Sequence, residues 1–319
     1  MSNPLVTVII PTYNRAGMVG NAIRSALGQT YPNKEIIVVD DGSSDDTATL
    51  VRNFAGVSYV LQDHKGQAAA RNNGWRQAKG TYIATLDSDD EWGKDFLAKC
   101  ISKLEQEGLD LVFANWDQQR KDGSNFPFFA CDPFLIPYLP AAVNSWVMLD
   151  YIQSRELFIK ECPSPSSSMV IRTSSIVEGW NEKMNIADDW CMLLDMVLAK
   201  KVKVAFTTEV LWKKHINCNN IYDGRDHIEV NKLLYVADTQ NILARHGHSL
   251  TREEYKLMER RYLRNLVRSA KHSLFNYADF RGSLRMMRKA IFTNPLYVTK
   301  VFSKLFVQRA KSNFKKTFS

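Results

Sequence analysis

Three carboxylates fall within four residues at Asp87-Ser88-Asp89-Asp90. Side by side they repel one another unless a cation or hydrogen bonds compensate. At the end of a strand they form a hard oxygen site suited to Mg²⁺ or Mn²⁺, ions that bridge protein carboxylates to substrate phosphates. A solvated turn capping a helix near Trp92 would use the same residues. A second acidic stretch, Asp40-Asp41, follows the run EIIVV. A carboxylate there can accept hydrogen bonds from a base or ribose. The surrounding DDGSSDD reads equally as a turn and helix cap.

These residues need elements to carry them. LVTVII at 5–10 is a short β-branched run that suits a buried parallel strand, and Pro11 and Asn14 end it. Val19, Ala22, Ile23, Ala26 and Leu27 then mark a helix face. Further strands are predicted at 35–39, 57–61, 81–86 and 109–114, and helices near 46–54, 67–78 and 95–106. Alternation of this kind predicts an α/β parallel sheet, whose ligands bind at the carboxyl ends of the strands. Three such ends, at Pro11-Thr12-Tyr13-Asn14, Asp40-Asp41 and Asp87–Asp90, would converge on one sheet edge. Farther on, SSSMVI at 166–171 reads as a strand and Asp188–Ala199 as a helix. Residues 123–149 hold one charge, Asp132, and four prolines that forbid a continuous helix. This is a loop-rich apolar insert.

The segments VTVIIPTYNR, IIVVDDGSSDDT, KGQAAARNNGWRQAKGTYIATLDSDD and IADDW occur in this order. Together they resemble family 2 of the glycosyltransferases, an inverting group with the GT-A type nucleotide-sugar fold. The resemblance is dense over 4–115 and thin over 165–220. A GxGxxG loop is absent, which disfavours a dehydrogenase. The implied fold is α/β: a GT-A type nucleotide-sugar-binding sheet flanked by helices, with a helical basic C-terminal extension. Residues 1–115 would be the nucleotide-sugar-binding half, 116–220 the acceptor-binding half of the same domain, and 221–319 the helical basic region.

The resemblance also implies roles. Pro11, Thr12 and Tyr13 would lie along the base, with the Tyr13 ring stacked on uracil. Asp41 would bind the base edge, and the Arg71 guanidinium would contact base or phosphate. Asp87, Ser88 and Asp89 would meet the nucleotide sugar. Asp89, Asp90 and His215 would hold Mn²⁺ or Mg²⁺. The catalytic pair would be Asp188-Asp189, with Asp189 the general base. Paired carboxylates have a raised pKa, which suits that task. The same two acids would also favour a helix N-terminus. Ala187-Asp188 stands where many relatives have Gly-Glu. Trp116 and Trp180 could stack on sugars, although aromatics at such positions are more often core.

Composition narrows the alternatives. With 45% hydrophobic and 24% charged residues among 319, the chain is an ordinary globular protein, not a disordered, collagen-like or coiled-coil one. It has no apolar run long enough for a transmembrane helix, and its N-terminus lacks a secretory pattern. Five widely spaced cysteines without a CxxC argue against a disulfide framework or a zinc knuckle. The net charge of +8 is uneven: residues 251–319 carry +13 and residues 1–250 carry −5. In the tail, Val298, Val301, Phe302, Leu305 and Phe306 form an apolar stripe with Lys300, Lys304, Lys311 and Lys315 mostly opposite. That is the pattern of a basic helix in an anionic membrane interface; packing on the protein is the other use of such a stripe.

The combined expectation is a metal-dependent hexosyl- or N-acetylhexosaminyl-type transferase. It moves a sugar from a UDP-sugar to a hydroxyl of a glycan or lipid-linked oligosaccharide in bacterial surface polysaccharide synthesis. It would be cytoplasmic, peripheral on the inner face of the membrane. A nucleic-acid-binding protein using the basic C-terminus lacks a recognisable module. An inactive nucleotide-sugar-binding homologue would not need the intact acidic motifs.

Overall fold

The computed structural model describes residues 3–119, 124–215 and 225–301. The chain divides into two compact units, one of Met1–Met184 with Asp188–Cys218 and one of Asn185–Ala187 with Asn219–Ser319. The first unit opens with β1 (Val6–Thr12), α1 (Val19–Leu27), β2 (Lys34–Asp40), α2 (Thr47–Arg52), β3 (Val57–Leu61), α3 (Gln67–Gln77) and β4 (Tyr82–Thr85). It continues through β5 (Glu91–Trp92), α4 (Phe96–Glu107), β6 (Leu111–Gln119), β7 (Asn125–Pro127), β8 (Trp146–Leu149) and α5 (Tyr151–Lys160). It closes with β9 (Met169–Arg172), α6 (Asp188–Ala199) and β10 (Val204–Lys214).

One sheet runs in the order β3-β2-β1-β4-β9-β6-β10-β5, with β7 beside β6 and β8 beside β10. Every residue of β1 is buried, as a central strand covered on both faces requires. The expected parallel pairing holds for β3, β2, β1 and β4. Beyond β4 the sheet is mixed. β9 lies antiparallel between β4 and β6, whereas β10 is parallel to β6. Strand direction had no signature in the sequence, because Met169, Val170 and Ile171 are all buried and show no alternation.

Helix α3 lies on β1 and β2 through small residues. Ala68, Ala69 and Ala70 are buried, and a Cβ on Gly74 would sit 2.6 Å from Ile9 Cγ2. That closeness sets the height of α3 above the sheet, and with it the position of Arg71.

The apolar insert is partly core. Phe128 stacks on Trp116 with ring centroids 4.3 Å apart, and Phe129 meets Phe113 and Phe206 edge-on. Pro127 ends β7, Pro133 sits in a turn, and Pro137 and Pro140 sit in a short 3₁₀ stretch, while Ile136 and Val143 remain exposed. Trp116 is buried in the same aromatic cluster, so it serves as core and not as an open sugar platform.

In the second unit, α7 (His227–Val230), a π-helical stretch and α8 (Thr239–His246) lead to α9 (Arg252–Tyr277) and α10 (Phe280–Thr293). Thr251 and Glu254 form a capping box at the start of α9. Tyr262, Leu263, Leu266, Val267 and Ala290 make its core together with Val298 and Val301. Two residues of the tail stripe thus face inward. Phe302, Leu305 and Phe306, with Lys304, Lys311 and Lys315, lie outside the described residues. Among the described residues no helix is long and apolar enough to cross a membrane.

The fit of α3 on the sheet gives a sharp test. Replacing a helix-interior glycine by alanine is ordinarily stabilising. Gly74→Ala is expected to do the opposite, costing about 1–3 kcal/mol by overpacking against Ile9. Urea unfolding of the variant beside the wild type measures the sign.

Candidate active site

The carboxyl ends of β1, β2 and β4 deliver Tyr13, Asp40-Asp41 and Asp87–Asp90, as the alternation of elements required. Loops after β1 and β2 are tied together: Asn14 N donates to Ser43 Oγ, and Asn14 Oδ1 accepts from Ser44 N, each at 2.8 Å. Asp40 is a brace, buried and accepting from Tyr59 Oη at 2.7 Å and Ser43 N at 2.8 Å. Asp41 orders the loop before α3. Its carboxylate accepts from Gln62 Nε2 at 2.7 Å, Lys65 N at 2.8 Å and Gly66 N at 2.7 Å. His64 Nδ1 lies 2.8 Å from the same carboxylate. The His64 ring stacks on Tyr13, centroids 4.1 Å apart, and Tyr13 is 43% exposed. Gly42 takes φ +82°, and a Cβ there would press on His64 N at 3.1 Å. Thr12 Oγ1, beside this platform in sequence, is buried without a hydrogen-bond partner.

Arg71 is the hub of the other half. Its guanidinium is buried, with Nη1 2.5 Å from Asp188 Oδ2 and 3.9 Å from Asp189 Oδ1, and Nη2 2.7 Å from Asp87 Oδ1. Each terminal nitrogen thus meets a carboxylate, while Nε is buried without a hydrogen-bond partner. Gln67, one turn earlier on α3, donates to Asp188 Oδ1 at 3.0 Å. One guanidinium balances one charge, and three carboxylates surround it. Burial, with Asp189 and Asp87 adding to it, outweighs Arg71 and pushes the Asp188 carboxyl up to about 7.

Asp188 is buried, whereas the Asp189 side chain keeps 16% exposure. Asp189 accepts from Trp180 Nε1 at 2.7 Å, Ser166 Oγ at 2.6 Å and Ser166 N at 3.1 Å. A carboxylate offers about four lone-pair positions. Three are filled here by these donors. Trp180 is thus a buried support for Asp189, not a sugar platform. The loop ahead of the pair is held within the second unit: Asp238 accepts from Asn185 N and Nδ2, Ile186 N and Ala187 N at 2.7–2.9 Å.

The acidic motif is organised by the neighbouring serine. Ser167 Oγ donates to Asp90 Oδ2 at 2.7 Å and accepts from Asp87 N at 3.0 Å. Ser166–Ser168 form a 3₁₀ turn, so the strand expected from 166 starts only at Met169. This one turn holds both the motif, through Ser167, and Asp189, through Ser166. Burial and then the charges of Asp87 and Asp89 hold the Asp90 carboxyl well above the usual range, with Lys214 opposing. Asp89 lies 3.6 Å from Arg15, and Ser88 is buried. His215 reaches the cluster through its N–H, 3.3 Å from Asp90 Oδ1, while its Nε2 is 3.0 Å from Glu91 Oε1. A cation would relieve the mutual repulsion of these acids, and carboxylate donors suit Mn²⁺ or Mg²⁺. Asp87, Asp89, Asp90 and His215 do not close into a three-residue cage.

Sequence reading missed His64, Gln67, Ser166 and Ser167, and gave Trp180 no hydrogen-bonding role. A usable signal existed only for the serines, a run of hydroxyls at 166–168 ahead of an acid pair.

Residues 7–161 match the family model described as glycosyl transferase family 2. A putative teichuronic acid biosynthesis glycosyltransferase, TuaG of Bacillus subtilis, is 32% identical over 48% of this chain and 65% of its own length. The Escherichia coli protein WfgD, a UDP-Glc:α-D-GlcNAc-diphosphoundecaprenol β-1,3-glucosyltransferase, is 38% identical over 37% of this chain and 47% of its own. The chain thus spans less than two thirds of these relatives. Among solved structures, S. aureus TarS 1-349 in complex with UDP has a TM-score of 0.53 at 17% identity, covering 89% of each chain. The mannosyltransferase PcManGT of Pyrobaculum calidifontis, in complex with GDP-Man and Mn²⁺, has a TM-score of 0.53 at 17% identity over 97% of this chain and 76% of its own. Both share the GT-A type fold with this chain.

The raised Asp188 pKa carries a sign. A carboxyl that binds its proton more tightly when folded stabilises most below its unfolded pKa, and that stability is lost as pH rises through about 7. Asp188→Asn removes the titration. The wild type is therefore expected to lose stability relative to the variant between about pH 4 and pH 8, read by urea unfolding across that window. Parallel curves would place the proton elsewhere.

Proposed function

We propose that this chain is a metal-dependent inverting glycosyltransferase. It moves a sugar from a UDP-sugar to a hydroxyl of a glycan or lipid-linked acceptor during assembly of a bacterial surface polysaccharide. The observation that carries this reading is the buried Arg71, which joins the acidic strand-end motif to the Asp188-Asp189 pair. A site that must release a diphosphate and deprotonate a hydroxyl needs these two groups side by side. The relatives named for surface-polymer synthesis and the neighbours solved with UDP or GDP-Man support the substrate class.

The uracil ring would extend the Tyr13–His64 stack, with Asp41 holding the loop beneath it. Asp89, Asp90 and His215 would hold the divalent ion, which supplies positive charge opposite the departing diphosphate. Asp189 accepts the proton of the attacking hydroxyl. Displacement at the anomeric carbon in one step inverts it and needs no covalent sugar intermediate. Asp188 does not meet substrate; with Arg71 it fixes where Asp189 stands. A lipid-linked acceptor would place the reaction at the inner face of the membrane.

The test is a panel of nucleotide sugars scored with Mn²⁺ for binding and turnover. Asp189→Asn is expected to lower transfer by about 10²–10⁴-fold while donor binding persists. Chelation, or Asp90→Asn, is expected to abolish donor turnover in a folded protein. Undiminished transfer by Asp189→Asn would move the base elsewhere, and full turnover in chelator would end the metal reading.

A further inference from the structure

Helix α10 wears its apolar side chains on the wrong side for a helix in water. Its buried positions are Ser283 and Ala290, with Met286 and Met287 half-buried against the core of the unit. The large apolar residues face out: Phe280 is 69% exposed, Leu284 61%, Ile291 47% and Phe292 81%. Phe275 and Tyr277 before the α9–α10 turn and Leu296 past the far end of α10 are exposed as well. Single exposed apolar residues are ordinary, but a run of them along one helix marks an interaction surface.

Charge identifies the occupant. By helical spacing Phe280, Leu284 and Ile291 share one line along α10, and the exposed Arg281, Arg285 and Arg288 flank it. Residues 280–301 contain five Lys or Arg and no Asp or Glu. A nucleic acid would meet the cations but leave the apolar row in water. A second copy of this surface would satisfy the apolar row but set arginine against arginine. An anionic lipid surface satisfies both: the apolar side chains enter the headgroup–acyl boundary while the arginine stems lie along it and reach phosphates.

We propose that the outward face of α10 docks this chain on an anionic lipid bilayer. These are not the residues of the tail stripe, whose Val298 and Val301 face inward. None of its residues belongs to the acidic site, so the proposal holds whether or not the sugar-transfer reading does.

The experiment is flotation of the full chain with vesicles of equimolar phosphatidylcholine and phosphatidylglycerol, beside vesicles of phosphatidylcholine alone. Binding to the mixed vesicles is expected, weakening as salt rises. The combined variant Phe280→Ser, Leu284→Ser, Ile291→Ser and Phe292→Ser is expected to bind at least about tenfold less and to melt no lower than the wild type. The combined variant Arg281→Gln, Arg285→Gln and Arg288→Gln is expected to lose the preference for phosphatidylglycerol. Three results would overturn the proposal: no vesicle binding at low salt, undiminished binding of the serine variant, or a large drop in its melting temperature. The last would mean that the face is covered within the chain. A dimer dispersed by the serine variant without vesicle binding would assign the face to a second copy and overturn it too.

Discussion

Arg71 brings one positive charge into a buried space that holds Asp87, Asp188 and Asp189. Taking a guanidinium out of water is costly, and its close bonds to two carboxylates offset that cost. The arrangement leaves negative charge in excess, which is why burial wins at Asp188 and its proton is held to about neutral pH. It also fixes geometry. A planar fork bonded to Asp87 on one side and Asp188 on the other sets the distance between the strand-end acids and the first turn of α6. The Ser166–Ser168 turn makes a second linkage, one serine on Asp189 and the next on Asp90. Two ties thus hold the acid pair and the strand-end motif in one relative position.

Local signals carried the first half of the molecule. β1, β2 and β4 rest on apolar runs, although β1 continues through Pro11 to Thr12, and acids that the sequence singled out follow β4 and close β2. The pair Asp188-Asp189 was singled out by the resemblance carried by IADDW, since two acids that open a helix serve its N-terminus equally well. What was not legible depends on tertiary pairing. β5 is two residues long, and β8 emerges from a proline-broken stretch, so neither has a periodic pattern to read. The antiparallel entry of β9 has no local cause at all. The division of labour at the site was hidden for the same reason. Arg71 resembles any arginine of an alanine-rich helix until Asp87 and Asp188 arrive from 16 and 117 residues away. His64 acquires meaning only when Tyr13 lies on it.

Composition misled where it averaged over opposite faces. The insert at 123–149 looks like a greasy loop, yet Phe128 and Phe129 complete an aromatic cluster with Trp116, Phe113 and Phe206. The basic C-terminal segment looks like a uniform amphipathic tail. Its helices instead divide the work: Val298 and Val301 build a core with α9, and α10 turns small residues inward and large ones outward. Among the described residues, this unit therefore has an inner face held by packing and an outer face that exposes large apolar side chains.

The central claim is that the Arg71 fork, and not its charge alone, sets the base against the donor end. The most direct measurement is the rate of sugar transfer by Arg71→Lys, with the melting temperature and UDP-sugar binding recorded on the same protein. Lysine keeps the charge but cannot bridge two carboxylates in one plane. The account predicts a folded variant that still binds donor and transfers at least about 10²-fold more slowly. Wild-type transfer by a folded Arg71→Lys protein would contradict it.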